Sequence, residues 1–201
     1  MQKIMFNDRY GLTQAVIEGR KTMTRRLIPD EFFRLTWDTR GDTLVYENEY
    51  GDFIDVRHSK YTRYKVGEIV AVAQRYEDVE ELSYLLRDPF SETYFEEVNI
   101  GDEPGYRNKM FVKAELMPHQ IRITGIKCER LRDIHDADCL KEGIRYIPKI
   151  NKFYFEGVRR EEGFYFDNHR EAFAALIDRV SGKGTWERNP WVVAYEFELV
   201  K

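Results

Sequence analysis

The stretch Glu18-Gly19-Arg20-Lys21-Thr22-Met23-Thr24-Arg25-Arg26 carries more structural and chemical information than any other part of this chain. Four of its last seven residues are cationic, although the whole protein has a formal net charge of -4. Two hydroxyl side chains lie among these cations, and a glycine precedes them. The pattern places a lysine, alcohols and arginines just after a helix end, where they can bind an anion or activate a nucleophile.

The flanking residues predict a helix followed by a strand. Residues 8–18 carry apolar side chains on one face, and Gly19 is a typical helix stop. Residues 22–28 then have an extended pattern that ends at Pro29. The cationic stretch is therefore expected at the start of a strand. An alternative is that its charges only prevent association of an exposed edge strand.

The remainder of the chain predicts many strands and few, short helices. Strands are predicted at 66–73, 109–114, 120–131 and 191–200, with hairpins joining 44–46 to 53–56 and 153–155 to 164–166. Helices are predicted near 79–86, at 135–142 with Asp133 as its cap and Gly143 as its stop, and after Asn168. This order, with no βα repeat, favours a mixed α+β fold built on a small closed or half-closed β-barrel.

Length and charge limit the class of protein. A chain of 201 residues suits one domain with elaborations. No apolar run approaches the roughly 18 residues that a bilayer span requires, and polar residues follow the start too early for a signal peptide. A cytoplasmic protein without a membrane partner is expected. Residues 77–103 contain ten acidic residues and one basic residue, so the rest of the chain carries a net charge of +5. Such a mildly basic body can meet phosphates.

Several kinds of chemistry have no matching pattern. Cys128 and Cys139 are expected to be reduced and packed, and the four histidines are scattered. The sequence has no glycine loop in a phosphate-binding context and no Gly-x-Ser-x-Gly elbow. We therefore expect no metal and no cofactor.

A second aromatic and cationic group occurs at Trp186-Glu187-Arg188-Asn189-Pro190-Trp191. Trp186 and Arg188 can stack on a base or sugar. The alternative is a turn whose indoles anchor the last strand in the core, which the pattern favours for Trp191 and leaves open for Trp186.

Four segments together resemble the ASCH domain family, a branch of the PUA-like β-barrel folds, in its larger phage- and bacterial-type members. These segments are residues 18–26, 64–72, 121–134 and 186–197, and they occur in the order of the family's elements. The resemblance implies a PUA-like barrel with a few short flanking helices. It implies a single ASCH domain over residues 1–201, with elaborations at about 30–60, 76–108 and 145–168.

The resemblance also implies a function, because the family is similar to RNA-binding PUA domains. The expected ligand is RNA or a modified nucleoside, held in a cationic cleft around Lys21. The candidate binding residues are Arg20, Thr22, Arg25, Arg26, Trp186 and Arg188. A third alternative is a scaffold that binds an anion, a small metabolite or a protein.

Small bacterial members of the family are amidohydrolases that remove the acetyl group from N4-acetylcytidine, and this activity is the second alternative. Their catalytic lysine, threonine and glutamate fall on Lys21, Thr24 and Glu142. In that reaction Thr24 attacks the acetyl carbonyl, and Lys21 serves as base if burial or a neighbouring cation lowers its pKa. Glu142 positions the lysine or protonates the leaving amine, and Arg26 binds the substrate or its phosphate.

Overall fold

The computed structural model describes residues 1–29, 35–37, 44–48, 50–59, 61–79, 104–157 and 165–200, with backbone only for 35–37. The strands are β1 (Gln2–Ile4), β2 (Met23–Leu27), β3 (Leu35–Trp37), β4 (Leu44–Glu47), β5 (Phe53–Asp55), β6 (Ile69–Val72), β7 (Gln120–Arg130), β8 (Arg145–Ile147), β9 (Lys152–Tyr154) and β10 (Trp191–Leu199). The α-helices are α1 (Leu12–Ile17), α2 (Pro104–Arg107), α3 (Asp136–Lys141), α4 (His169–Ser181) and α5 (Thr185–Arg188). The helix predicted near 79–86 lies, from residue 80 onward, outside the described residues.

One mixed sheet organises the described part of the chain. Its strand order is β1-β6-β7-β10-β2, with β1 parallel to β6 and the other pairs antiparallel. Within the described residues the pairing stops at β1 on one side and β2 on the other, so these strands form an open sheet and no closed barrel. The mixed α+β class is confirmed. The predicted hairpin of residues 44–56 is also confirmed, as β4 and β5 of a separate small sheet.

The interior of the sheet is formed by β7 and β10. Four consecutive residues of β10, from Val192 to Tyr195, are each no more than 1% exposed. Successive side chains of a strand point to opposite faces, so both faces of the sheet are covered at this level. The alternating pattern predicted the strand correctly, but one-sided burial applies only from Glu196 to Glu198, where Phe197 is buried between two less buried glutamates.

Glycine conformations set the helix ends that matter for the site. The helix predicted for 8–18 is divided into a 3-10 turn, Asp8–Tyr10, and α1, because Gly11 adopts a left-handed conformation with φ 63°. Gly19, with φ 71°, then ends the helical region as predicted. For α4 the predicted cap at Asn168 is confirmed, since its Oδ1 accepts a 2.8 Å hydrogen bond from the Glu171 N–H.

The predicted aromatic hairpin is confirmed in part, and β9 also has a second partner that was not predicted. Strand β9 pairs with β8, and the two chain segments meet at a turn where Asn151 takes a left-handed conformation. On the other side of β9, Phe153 and Phe166 pair antiparallel: the Phe153 N–H donates to the Phe166 carbonyl at 3.0 Å and the Phe166 N–H to the Phe153 carbonyl at 2.9 Å. Strand β9 thus bonds to β8 on one edge and, at Phe153, to the predicted partner segment on the other; residues 158–164 lie outside the described residues.

Two smaller predictions are wrong. Residues 109–114 form no strand, because the Lys3 ammonium takes the carbonyl oxygens of Met110 and Val112 at 2.7 and 2.6 Å instead of a neighbouring strand. Asp133 does not cap α3, because it belongs to a 3-10 turn, and His135 occupies the cap position without a side-chain bond.

The sheet interior supports a stability prediction. Ile123 of β7 is 0% exposed, so Ile123→Ala should lower the free energy of unfolding by about 2–5 kcal/mol through lost apolar contact and a residual cavity. Urea denaturation measures this value. Leu199→Ala, at a position that is 37% exposed, is the control and should cost less than about 1 kcal/mol. Equal losses in the two variants would contradict the assigned core.

Candidate functional site

A cleft of about 230 Å³ lies along the outer edge of β2. It is bounded by Phe6 and Leu12 on one side, by the end of α3 at Glu142, and by the apolar face of α4 on the other. Its lining includes Lys21, Thr24, Arg25 and Arg26, and we call it the Lys21 cleft. The structure therefore brings the three residues of the implied hydrolase, Lys21, Thr24 and Glu142, to one concave site.

Lys21 is an almost fully buried cation. The residue is 2% exposed, and its Nζ donates hydrogen bonds to the Met23 carbonyl at 2.7 Å, the Glu142 carbonyl at 2.8 Å and Glu142 Oε2 at 2.6 Å. All three ammonium hydrogens therefore have protein acceptors. A buried charge requires such complete pairing. The edge-strand alternative, in which these cations are solvated surface groups, does not describe Lys21.

Local backbone geometry explains how Lys21 reaches this place. The chain folds back directly after α1, since the N–H groups of both Arg20 and Lys21 donate to the Ala15 carbonyl. Gly143 ends α3 with φ 105°, and a Cβ there would lie 3.1 Å from Leu12 and 3.8 Å from Lys21. Absence of a side chain at Gly143 thus permits the close approach that joins the two helix ends.

Glu142 holds the two buried cations of the cleft together. Its Oε2 accepts from Lys21 Nζ, and its Oε1 accepts from Arg25 Nη1 at 2.9 Å. The carboxylate is almost as inaccessible as its partners, with its side chain 6% exposed. Because each oxygen accepts a hydrogen bond from a cation, Glu142 is placed to fix the position of the lysine.

Arg25 is the centre of a larger ionic cluster. Its side chain is 0% exposed and contacts three carboxylates: Glu142 at 2.9 Å, Glu129 at 2.7 Å and Asp138 at 3.3 Å. Lys127 closes the cluster from the solvent side, at 3.0 Å from Glu129 and 3.2 Å from Asp138. The Arg25 guanidinium is therefore withdrawn from any ligand, in contrast to its predicted binding role.

The electrostatic environment changes the protonation of the lysine. Burial lowers the pKa of the Lys21 ammonium, and the charge of Glu142 with its hydrogen bond offsets this only in part. The nearby positive charges of Arg26 and Arg25 lower this pKa further. Lys21 is thus closer to releasing its proton than a surface lysine would be, which is the property that a general base needs.

Thr24 presents a hydroxyl to the cleft. The residue is buried, and within the described residues no hydrogen bond engages its side chain. It lies in β2 opposite Tyr195 of β10. Its hydroxyl is therefore available to a ligand. No hydrogen bond joins it to Lys21 Nζ, whose donors are all directed elsewhere.

The main chain of β2 also reaches the cleft. The Ile28 N–H donates to the Trp191 carbonyl and the Phe197 N–H to the Thr22 carbonyl, so the even-numbered residues of β2 bond to β10. In an antiparallel pair the odd-numbered residues then direct their N–H and C=O groups outward. For Arg25 the side chain is 0% exposed while the residue is 6% exposed, so its accessible atoms belong to the main chain. This N–H and C=O have no partner among the described residues and can bind a ligand.

The other predicted binding residues are distributed over three places. Arg26 lines the cleft, is exposed, and donates to the Met5 carbonyl at 2.6 Å. Arg20 pairs with Glu18 and Glu156 outside the cleft lining. Thr22, also outside it, is half-buried.

Trp186 and Arg188 lie behind the cleft and do not line it. Trp186 is half-buried with an edge-to-face contact to Phe173 at 6.1 Å, and it packs against the core. Arg170 lies 5.4 Å from the centre of its ring. Arg188 is exposed and donates to the Thr185 hydroxyl. The structure thus agrees with the core alternative for Trp186.

Sequence reasoning missed the acidic partners Glu129 and Asp138. Asp138 and Glu142 are four residues apart on or directly after α3, a spacing that puts two carboxylates on one helix face. Two carboxylates on one helix face could have indicated an acidic partner for the cationic stretch of residues 20–26. Glu129 had no such signal, since its inward position depends on the register of β7 against β10.

Thiol and metal chemistry find no support in the described part of the chain. Cys128 and Cys139 are unbridged and buried, and burial raises the pKa of each thiol to about 12. Neither forms a thiolate near neutral pH. In the described ranges no group of three or more His, Cys, Asp or Glu side chains could hold a metal ion.

Among the helices of the described residues, none is long and apolar enough to cross a membrane.

Comparisons of this chain with protein-family models, with curated proteins and with solved structures found no match. The assignment to the ASCH family therefore stays a prediction from the sequence.

Removing the shared carboxylate tests the ionic cluster. Glu142→Gln leaves two buried cations without their common anion, so the free energy of unfolding should fall by about 3–5 kcal/mol. Urea denaturation of both proteins gives this difference. Arg122→Gln removes an exposed ion pair with Glu198 and should cost less than about 1 kcal/mol. A loss at Glu142 as small as that of the control would refute the structural role of the cluster.

The cluster also predicts a pH dependence. Burial raises the pKa of Asp138, but the hydrogen bond from Lys127 and the charges of Lys127, Arg25 and Lys141 outweigh it, so the pKa is lowered overall. A carboxylate with a lowered folded-state pKa stabilises the protein above the unfolded value, near 4, and loses that contribution as pH falls.

Asp138→Asn should therefore be less stable than the wild type near pH 7, and the difference should shrink as the pH is lowered from about 5 to 2. Urea denaturation across this range provides the measurement. A difference that stays constant with pH would show that ionised Asp138 does not contribute.

Proposed function

We propose that the Lys21 cleft binds a nucleobase, either in RNA or in a modified nucleoside, and that Lys21, Thr24 and Glu142 hydrolyse an N4-acyl amide on it. The observation that carries this proposal is that one cleft contains the buried Lys21–Glu142 pair and the Thr24 hydroxyl, which has no hydrogen-bond partner among the described residues. Buried ion pairs contribute little net stability relative to apolar packing, so their presence at a concave site favours a functional role.

The size and lining of the cleft suit a small planar ligand. Phe6 and the inner face of α4 give the cleft an apolar wall, and Lys21, Thr24 and Glu142 supply polar groups. An apolar wall with a few convergent polar groups is the usual form of a small-molecule site. The outward C=O of Arg25 offers an acceptor for an N–H group on the edge of a base.

The reaction begins with a nucleophile and a base. Because burial lowers the pKa of Lys21, less free energy is needed to form its neutral amine. This amine accepts the Thr24 proton while Thr24 Oγ1 attacks the acyl carbon. The resulting ammonium gives its proton to the leaving nitrogen as the C–N bond breaks. Water then hydrolyses the threonine ester, releasing the carboxylic acid and restoring the hydroxyl. The balance is amide plus water to amine plus acid.

The other groups of the cleft support this chemistry. Glu142, bound to Lys21 and Arg25 through separate oxygens, orients the lysine. The Arg25 N–H directly follows the nucleophile in the chain and points out of the sheet edge, where it can donate to the developing oxyanion. Of the two roles implied for Glu142, this geometry favours positioning over protonation of the amine.

Recognition without turnover is a second candidate, and one observation favours it. All three hydrogens of Lys21 are donated to protein acceptors, which is the arrangement of a structural ammonium. In that case the cleft would recognise a base, and the exposed Arg26 would contact the phosphate backbone.

The finer aspects of the fold belong to this proposal as well. We infer a PUA-like barrel of the ASCH type, of which the five-stranded sheet is the described part. The support is the order of elements, in which the cationic stretch, the Gly67 turn before β6, the long β7 and the closing β10 follow one another.

Turnover of N4-acetylcytidine tests the proposal. Wild-type protein should release cytidine and acetate, separated by chromatography. Because each removes a reacting or orienting group, Lys21→Met, Thr24→Val and Glu142→Gln should each lower kcat/KM by about 10²–10⁴-fold.

The matched control is Lys141→Met, which removes a half-exposed ammonium next to Glu142 and outside the cleft lining. It should retain turnover, and circular dichroism should show that each variant is folded. Absence of turnover by the wild type would reject hydrolysis of this substrate. If the same protein still bound N4-acetylcytidine or RNA by calorimetry, recognition without turnover would replace the hydrolase.

A further inference from the structure

A second hollow adjoins the Lys21 cleft and is not used by the proposed reaction. It has a volume of about 240 Å³ and is lined by Met5, Arg26, Tyr61, Arg63, Tyr64 and Tyr195. We call it the tyrosine hollow. Arg26 lines both spaces, so the two hollows meet at its side chain.

The cations of the tyrosine hollow differ from those of the ionic cluster. Lys21 and Arg25 are neutralised by buried carboxylates. Within the described ranges no carboxylate lies within ion-pair distance of Arg26 or Arg63, and both residues are exposed. Arg26 makes a single side-chain hydrogen bond there, from Nη2 to the Met5 carbonyl, so most of its donors are left for a ligand. Two uncompensated guanidinium groups at one hollow favour an anion.

The aromatic groups give the hollow a second property. Tyr64 and Tyr195 form an edge-to-face pair with ring centres 5.3 Å apart, and Tyr61 is half-buried beside Tyr46 at 5.6 Å. The Tyr195 hydroxyl accepts from the Arg63 N–H at 2.9 Å, so its own hydrogen can be donated. Tyr64 and Tyr195 are only 3% and 1% exposed, so they form the base of the hollow, and the half-buried Tyr61 is the ring on which a base of single-stranded nucleic acid can stack.

We propose that the tyrosine hollow binds the nucleotide next to the one in the Lys21 cleft, with Arg26 at the phosphodiester between them. The ligand is then a single-stranded RNA segment, not a free nucleoside. This inference rests on the proposed function for the first base. It adds a binding site formed by Arg63 and Tyr61, which are separated in sequence from the cationic stretch.

The experiment compares three ligands of increasing size with the whole protein. These are N4-acetylcytidine, its 5′-monophosphate, and a single-stranded RNA of about six nucleotides with one central N4-acetylcytidine. Turnover is followed by chromatography, and binding of the fluorescently labelled RNA is followed by anisotropy at several salt concentrations. Anisotropy does not depend on catalysis, so the two proposals can fail separately.

The RNA should have a kcat/KM at least about tenfold above that of the nucleoside, because the second site adds stacking and phosphate contacts. Arg63→Gln should weaken RNA binding by about tenfold and reduce the slope of log K against log salt by about one. Tyr61→Ala should weaken it by about five- to a hundredfold through lost stacking. In both variants kcat/KM for the RNA should fall toward that of the nucleoside.

The control is Lys65→Gln, which removes an exposed charge two residues from Arg63 and outside the hollow. It should bind the RNA like the wild type. If the RNA and the nucleoside are equivalent, or if Arg63→Gln matches Lys65→Gln, the tyrosine hollow is no nucleotide site. Equal affinity for the monophosphate and the RNA would show that the hollow contacts only a phosphate, and would overturn the proposal that it binds a second nucleotide of single-stranded RNA. RNA binding that depends on Arg63 without any turnover would preserve the hollow and reject the hydrolase.

Discussion

The carboxylate of Glu142 is the constraint on which the site depends. It terminates α3, binds the Lys21 ammonium with one oxygen and the Arg25 guanidinium with the other, and is buried with both. A charged group withdrawn from water must be fully paired, so these three side chains fix the relative positions of α3, the end of α1 and β2. The cleft exists because those elements cannot move independently without exposing an unpaired charge.

Much of the local structure could be predicted from patterns that depend on near neighbours in the sequence. The alternation in β10, the glycine stop after α1 and the Asn168 cap each reflect interactions within a few residues. Pairing could be predicted only in part in this way. The bridge between Phe153 and Phe166 agrees with the predicted hairpin, but the pairing of β9 with β8 depends on tertiary contacts that the sequence pattern does not contain.

The site shows the same division. The cationic stretch and Glu142 were identified by residue type and family resemblance, and the structure places Lys21, Thr24 and Glu142 on one cleft. The difference in burial between the neighbouring Arg25 and Arg26 could not be predicted. Arg25 and Arg26 point to opposite faces of β2, so one is buried among carboxylates and the other reaches solvent. Glu129 and Asp138 lie on the Arg25 face of β2, and both are distant from Arg25 in the sequence.

The outward-facing main chain of β2 has a cost for the folded protein in solution. An unpaired strand edge is a template for another extended chain, and such edges drive aggregation and strand exchange between molecules. This edge cannot be sealed by a neighbouring strand without closing the cleft. Among the described residues the edge is instead recessed beside α4 and flanked by the Arg26 charge, and charged side chains are a common way to discourage the addition of a further strand. The atoms that would contact a ligand under the proposed function are thus the same atoms that a strand of another molecule would use, so the two kinds of binding exclude each other.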